Sequence, residues 1–380
     1  KFAPAGKGKA SIRKVLVAIQ FSFTAFFFIC TVIMYEQVDY LKTKDLGYTD
    51  NLLVSIHLEN GKIRDFGELF KSEILRNPEI INASLSYSSP ARFFGYSSRV
   101  FPEGYPESDF FSMHMFSIDE NYVNTFGMEI TLGNNIQESK NGLYLINETA
   151  AQHLKWDNPV GRQIRISGRD QPGRITGVVK DFHFLGMQTE IQPALLYYDP
   201  AMFNMLTVMP ATNNVPTVID LLKKEWNKTV QDFPFEYSLF IEESERLFRA
   251  NEIARKAFNF YSVFAIVIAC LGLYGLVAYT AEKQKKEISI RKVLGANAFG
   301  TAVMLIKEYV KLVLIAIVIA APAAYFAMTS LLQVFAYRIP VRIVPFAAAS
   351  SLVLIITLLT ISYHTVKIAR TDPADALRCE

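Results

Sequence analysis

Cysteine is nearly missing from this chain. Cys30 and Cys270 lie in apolar runs and Cys379 in the tail, while the long polar middle has none. That excludes a disulfide framework for the polar part. There is no Gly-x4-Gly-Lys-Ser/Thr phosphate loop, so any ATP that drives the protein is bound by a separate polypeptide. The five histidines are scattered. His183, in Asp181-Phe-His-Phe184, has no second histidine at metal-ligand spacing and reads as structural. No Gly-x-Ser-x-Gly elbow and no local Cys/His signature occurs. Catalysis is therefore not supported, and neither a cofactor nor a metal is expected in the chain. A formal net charge of +3 is too small to imply nucleic acid.

Charge is also scarce in four long stretches, and here the chain becomes informative. It is 51% hydrophobic yet 20% charged, too apolar for an ordinary soluble domain and too charged to lie wholly in lipid. Val15–Tyr35, Phe258–Tyr279, Val303–Met328 and Pro345–Tyr363 are each near the ~20 residues that cross ~30 Å of hydrocarbon. The first run is too long for a signal peptide and lacks a small-residue cleavage site. Lysine and arginine set the orientation. Lys1, Lys7, Lys9, Arg13 and Lys14 precede the first run, Lys283, Lys285, Lys286, Arg291 and Lys292 fill the second loop, and Lys367, Arg370 and Arg378 follow the last run. These share one side, read as cytoplasmic; Arg338 and Arg342 run against the rule but are outweighed.

The expected fold is an α-helical membrane protein with four transmembrane helices and a large α+β extracytoplasmic domain between the first and second. Its segments are a basic N-terminus 1–14, a first span and stalk 15–45, the outside domain 46–240 with length for two lobes, and a stalk and second span 241–281. An inside helix 282–297, a third span 298–332, an outside loop 333–344, a fourth span 345–366 and an inside tail 367–380 complete it. Within the outside domain, Leu52–His57, Ile164–Ile166, Ile175–Val179 and Ala194–Tyr198 read as strands. Glu148–Leu154, capped by Asn147, and Val215–Trp226 read as helices. The stalks are overlong: the pattern from Ile241 to Ala281 would extend roughly 60 Å at the rise of an α-helix.

The inside segment Lys285-Lys-Glu-Ile-Ser-Ile-Arg-Lys-Val-Leu-Gly-Ala-Asn297 reads as a short amphipathic helix between two breaks. Ile290, Val293 and Leu294 share a face, Glu287 precedes Arg291 by one turn, Gly295 suits the left-handed C-terminal position, and Asn297 can cap the next span. The residues alone leave two readings open, an interfacial helix on anionic lipid and a docking helix for a cytoplasmic partner. Lys307, Glu308 and Lys311 read as snorkelling to the interface rather than lining an ion path. Ala265/Ala269 and Ala316/Ala320 have helix-packing spacing. The aromatic surplus at Phe93, Phe94, Tyr96, Phe101, Tyr105, Phe110 and Phe111 reads first as core and second as a contact surface.

Taken in order, several motifs resemble the MacB/FtsX-like permeases of ATP-binding cassette transporters. Ser11-Ile-Arg-Lys-Val-Leu-Val-Ala-Ile-Gln-Phe21 resembles the family's first span and Lys44-Asp-Leu-Gly-Tyr48 its exit. Leu145-Ile-Asn-Glu148, Asn158-Pro-Val-Gly161 and Gly177-Val-Val-Lys-Asp-Phe-His-Phe184 resemble its periplasmic core domain. Lys307-Glu-Tyr-Val-Lys-Leu-Val-Leu-Ile-Ala316, Ala336-Tyr-Arg-Ile339 and Asp372-Pro-Ala-Asp-Ala-Leu-Arg378 resemble its last two spans and tail.

The resemblance implies a non-catalytic, multi-pass permease of the bacterial inner membrane with its large domain in the periplasm. Glu287, Ile288, Ile290, Arg291, Lys292, Val293, Leu294 and Gly295 would form the coupling helix that docks an ATPase subunit. ATP and Mg would sit in that subunit, a dimer, and not in this chain. More narrowly, the chain is similar to the second half of an eight-helix permease, and its start at Lys1 rather than methionine fits a piece of a longer polypeptide; a complete four-helix permease is the alternative. Implied partners are the ATPase, a second permease half or subunit, membrane lipid, and an adaptor, lipoprotein or cell-wall enzyme outside. The rival functions are a membrane-anchored sensor or receptor and a secondary transporter; Pro322 alone interrupts a span, which speaks against the latter.

Overall fold

A computed structural model describes residues 7–49, 52–58, 61–93, 95–137, 142–230, 233–293 and 298–369. Phe94, the segment from Leu294 to Asn297 and the tail motif Asp372–Arg378 lie outside the described residues. The helices in chain order are α1 (Lys7–Lys42), α2 (Gly61–Arg64), α3 (Gly67–Ile74), α4 (Tyr122–Thr125), α5 (Glu148–His153), α6 (Val215–Thr229), α7 (Phe240–Glu245), α8 (Arg249–Val293), α9 (Ala298–Leu332) and α10 (Ile343–Ala369). The strands are β1 (Val54–His57), β2 (Ile80–Ser86), β3 (Ser97–Pro102), β4 (Phe111–Ser117), β5 (Ile130–Gly133), β6 (Leu143–Asn147), β7 (Gln163–Ile166), β8 (Gly173–Val179), β9 (Ala194–Tyr197), β10 (Met205–Pro210) and β11 (Tyr237–Leu239). The chain divides into two compact units, Thr43–Ala250 and the helices on either side of it.

The helical unit contains four helices long and apolar enough to cross a membrane. Their buried residues make one core: Phe21 and Ala25 of α1, Ala269 and Leu273 of α8, Tyr309, Val313 and Ala316 of α9, and Val353 of α10. Ala316, Ala320 and Ala324 of α9 are all buried, one turn apart, which lets a neighbouring backbone come close. Lys307 and Lys311 are exposed. Pro322 is accommodated inside α9.

One expectation needs correction. Residues 282–293 are not a separate short helix, because α8 runs unbroken from Arg249 to Val293. Between Gly275 and Gly295 there is neither glycine nor proline, and Ala, Glu, Lys and Gln favour continuation.

The unit Thr43–Ala250 holds two sheets. The smaller is four-stranded and antiparallel, in the order β11-β1-β10-β2. Helices α3 and α6 cover it. Val218, Leu222 and Trp226 lie four apart on α6 and so share one buried face. Trp226 meets Phe70 of α3 edge to face at 5.2 Å. Asn214 caps α6 by accepting from Thr217 N.

The larger sheet is seven-stranded, in the order β5-β8-β6-β9-β4-β3-β7. A further pairing of β7 with β8 closes it on itself and leaves β5 as an added edge. Most neighbours are antiparallel, but β4–β9 and β6–β8 are parallel. Its core gathers Val100, Met113, Met115, Ile146, Ile164, Ile175 and Leu195.

Candidate functional site

The two passages by which the chain enters and leaves the α+β unit are held by different chemistry. On entry, Lys44-Asp-Leu-Gly-Tyr48 forms a tight turn. Gly47 N donates to Asp45 Oδ1 at 2.9 Å, and Gly47 has φ +81°, a left-handed conformation that suits glycine. A Cβ there would meet Asp181 O at 2.3 Å, so glycine is needed for space as well. Lys180 Nζ reaches Asp45 Oδ2 at 3.0 Å. The Gly47 amide and the Lys180 ammonium hold the Asp45 carboxyl below its ordinary range. His183 N donates to Leu46 O at 2.8 Å.

Behind that turn lies the second pair of motifs. Asp181 Oδ1 accepts from Thr149 N at 2.8 Å and Oδ2 from Thr149 Oγ1 at 2.7 Å, which satisfies the start of α5. Glu148 Oε2 accepts from Asp181 N. Asn147 accepts from Ala150 N and Ala194 N and donates to Gln192 O. Three stretches far apart in sequence, Lys44–Tyr48, Leu145–Glu148 and Gly177–Phe184, thus build one structure. His183 is buried, and its imidazole is pushed below its usual pKa chiefly by burial.

On exit, a buried carboxylate replaces the turn. Glu243 of α7 is fully buried; it accepts from Ser89 Oγ at 2.6 Å and Ser238 Oγ at 2.5 Å. Arg92 Nη1 lies 3.8 Å from Glu243 Oε1 and 3.1 Å from His57 Nε2. Phe240 N donates to Leu53 O at 3.0 Å. The two passages meet in aromatics: the Tyr48 and Phe240 rings are 5.4 Å apart, and Phe126 packs on Phe240 at 5.2 Å. Burial drives the Tyr48 phenol well above its ordinary pKa, which keeps it neutral.

A second buried charge pair ties α3 to the loop after β4. Lys71 Nζ donates to Asp119 Oδ2 at 2.7 Å, and Asp119 also accepts from Ser84 Oγ, Leu85 N and Asn121 N. Burial pushes the Asp119 carboxyl up, and Lys71 opposes the rise. Four donors around it favour the ionised form at neutral pH.

In the helical unit, Gln37 of α1 is fully buried. Its Nε2 donates to Tyr337 O at 2.7 Å and its Oε1 accepts from Ile339 N at 2.9 Å, so one amide clasps the loop between α9 and α10. Lys42 reaches Glu252 at 2.7 Å, and Arg255 reaches Glu252 at 2.8 Å.

Among the expected docking residues, Glu287, Ile288, Ile290, Arg291, Lys292 and Val293 fall on the last turns of α8. Leu294 and Gly295 lie outside the described residues. Glu243, Asp119, Gln37 and the threonines of α1 were not singled out by sequence. A polar residue at the end of an apolar run is the available signal for Gln37, whereas Glu243 stands among other charges and carries none.

The aromatic region divides. Phe93 packs on Phe116 and Phe184, while Tyr96 and Phe110 are exposed and Arg99 sits 4.6 Å over Phe110. No group of three or more His, Cys, Asp or Glu suited to a metal occurs among the described residues.

Two family models match. The MacB-like periplasmic core domain matches residues 38–224, and the FtsX-like permease C-terminal model matches residues 259–373. The chain belongs to the MacB/FtsX-like permeases. These are permeases of ATP-binding cassette transporters, generally non-catalytic, with the ATPase in a partner. The FtsX-like match takes in most of α8, α9 and α10, and the MacB-like match most of the α+β unit.

Similar solved structures include the periplasmic region of MacB from Actinobacillus actinomycetemcomitans, at 14% identity and TM-score 0.38, covering 53% of this chain and 92% of that one. A domain of a putative permease protein from Porphyromonas gingivalis is 18% identical, with TM-score 0.36 and coverage of 50% and 91%. The extracellular domain of the noncanonic ABC-type transporter YknZ from Gram-positive bacteria is 13% identical, with TM-score 0.36 and coverage of 50% and 99%. No curated protein matches the sequence.

Proposed function

We propose that this permease is a mechanical transmitter. A separate cytoplasmic ATPase docks on the end of α8 and the residues that follow it. Nucleotide-driven closure moves that end, and α1 and α8 carry the motion to the extracytoplasmic domain. The output is export or extraction of a peptide, drug or lipoprotein, or regulation of a cell-envelope enzyme. In this reading the chain lies in the bacterial inner membrane with its α+β unit in the periplasm, ATP and Mg bind only the partner, and a second permease half completes the assembly.

Helix length carries the reading. Helix α1 has 36 residues and α8 has 45. At ~1.5 Å per residue these are about 54 and 68 Å long, against ~30 Å of hydrocarbon. Helices built only to anchor would stop sooner. The four helices also pack on one another through a shared apolar core, which favours transmission over a conduit within this chain.

The test is charge reversal at Arg291 and Lys292 together, with Gly295→Pro as a second variant, in membranes reconstituted with the co-purifying ATPase. The expected result is loss of ATPase assembly and of ATP-dependent activity. Full retention of both overturns the proposal.

A further inference from the structure

Two hydroxyl contacts between α1 and α8 differ in kind from the clasp that Gln37 makes. Thr24 Oγ1 lies 2.9 Å from Gln20 O on its own helix and 3.0 Å from Ala265 O on α8. Thr31 Oγ1 repeats the arrangement, 2.8 Å from Phe27 O and 3.0 Å from Phe258 O. The two sites are two turns apart on both helices, in opposite order, as antiparallel helices require.

A hydroxyl has one proton to donate. Each threonine therefore chooses between a carbonyl of its own helix and one of the neighbour. Ala265 O and Phe258 O lie inside α8, where helix geometry already supplies each with a backbone donor. When a threonine turns back to its own helix, no polar group is stranded, and stranding is what apolar surroundings penalise. The amide of Gln37 works differently: it engages two backbone groups of one loop at once, Tyr337 O and Ile339 N, so turning it away breaks two bonds together.

The local packing allows movement. A cavity of about 10 Å³ adjoins Thr24, lined also by Phe21, Ile266 and Ala269.

We infer that Thr24 and Thr31 form a slip joint, a pair of hydroxyl latches that hold α8 to α1 in one state and release it without loss of hydrogen bonding in another. Helix α8 then shifts along α1, while Gln37 keeps α1 fixed to the α9–α10 loop. The inference rests on the proposed transmission function and names the interface at which the motion occurs.

The reporter pair is Phe27→Cys with Tyr261→Cys, whose parent rings stack at 5.7 Å. Cys30, Cys270 and Cys379 are replaced by alanine. Cross-linking yield with a short bifunctional thiol reagent is measured on the full chain in native membranes, with and without ATP depletion. A Phe21→Cys/Val353→Cys pair, which reports on α1 against α10 and leaves the Gln37 clasp in place, is the control, and limited proteolysis of the outer unit reports whether motion reaches it.

A several-fold change in α1–α8 yield, with a constant control yield, is expected. Thr24→Val with Thr31→Val should abolish most of that change, and Thr24→Ser with Thr31→Ser should restore it. An unchanged α1–α8 yield with ATP-dependent proteolysis overturns the slip joint and leaves the transmission reading standing. Constancy of both yield and proteolysis overturns both. A yield change unaffected by the valine pair overturns the role of the hydroxyls.

Discussion

The α+β unit and the helical bundle use buried polar groups in opposite ways. In the α+β unit they are charged and fully committed. Asp119 has an ammonium partner and three further donors, and Glu243 has two hydroxyls with Arg92 close by. Each fixes one geometry, since removing a partner strands a charge. In the bundle, Thr24 and Thr31 join α1 to α8 through neutral hydroxyls with a second acceptor at hand, and the one charged contact between these helices named above, Lys42–Glu252, involves a half-exposed lysine at the end of α1. The difference teaches where such a protein can yield: the outer unit is held as a shape, while the bundle keeps at least one interface that can exchange partners.

The largest effect should come from Asp119→Ala. It leaves Lys71 buried without its carboxylate, which costs about 3–5 kcal/mol. The melting temperature of the outer unit should fall on the order of 10 °C. Both tryptophans, Trp156 and Trp226, lie in that unit, so selectively excited tryptophan fluorescence of the intact protein follows its unfolding. Adding Lys71→Met should recover part of the loss, though not the bonds to Ser84 and Leu85. An unchanged melting temperature in the single variant would remove the ion pair from the account of how the unit keeps its shape.

Next in size is the contrast inside the bundle. Gln37→Leu removes the bonds to Tyr337 O and Ile339 N at a cost of about 1–3 kcal/mol. Amide exchange at Ile339 should quicken by roughly ten-fold, the equivalent of one pKa unit of free energy. Thr24→Val should cost under about 1 kcal/mol, in keeping with measured interhelical hydrogen bonds in membranes. Equal costs at the two positions would erase the distinction between a clasp and a latch.

Legibility followed the same division. The bundle could be read from composition, because a run such as Val303–Met328 has few physical options other than a span. Asn147 was readable as a cap because capping is local. The sequence reading does not include β2, β3, β4, β5, β6, β10 or β11; β2, β6 and β10 pair with segments far away in sequence, and burial on both faces of β6 and β10 removes the two-residue alternation that marks a half-exposed strand. The family motifs pointed to the entry turn, yet nothing in them said that Asp45 would meet Lys180 or that Gly47 would lie against Asp181. Glu243 looked like one more charge in a stalk rich in them, and only three-dimensional packing turned it inward. The break expected near residue 282 was inferred from the edge of an apolar run. A change of hydropathy does not end a helix, and α8 continues to Val293.

The smallest effect concerns acid. Burial depresses the His183 imidazole below its ordinary value, so the folded unit takes up a proton less readily than the unfolded chain. Stability from this source is complete above the unfolded value, near 6.5, and is lost as pH falls through it toward the depressed folded value. Asp45, held low by Gly47 N and Lys180, loses its contribution only in the more acidic range below the ordinary aspartate value. The two windows separate on a pH series. Replacing His183 by asparagine should flatten the slope of melting temperature between about pH 6.5 and 5, changing stability by about 1 kcal/mol or less across it. The difference between the two curves reports the imidazole together with its coupling to Asp45 and Asp181, the carboxylates that face it. A slope that persists in the variant would assign the acid sensitivity to another group, with His114, also depressed by burial, the next to replace. A slope that reverses would mean that His183 is held as a cation, contrary to its burial beside the entry turn.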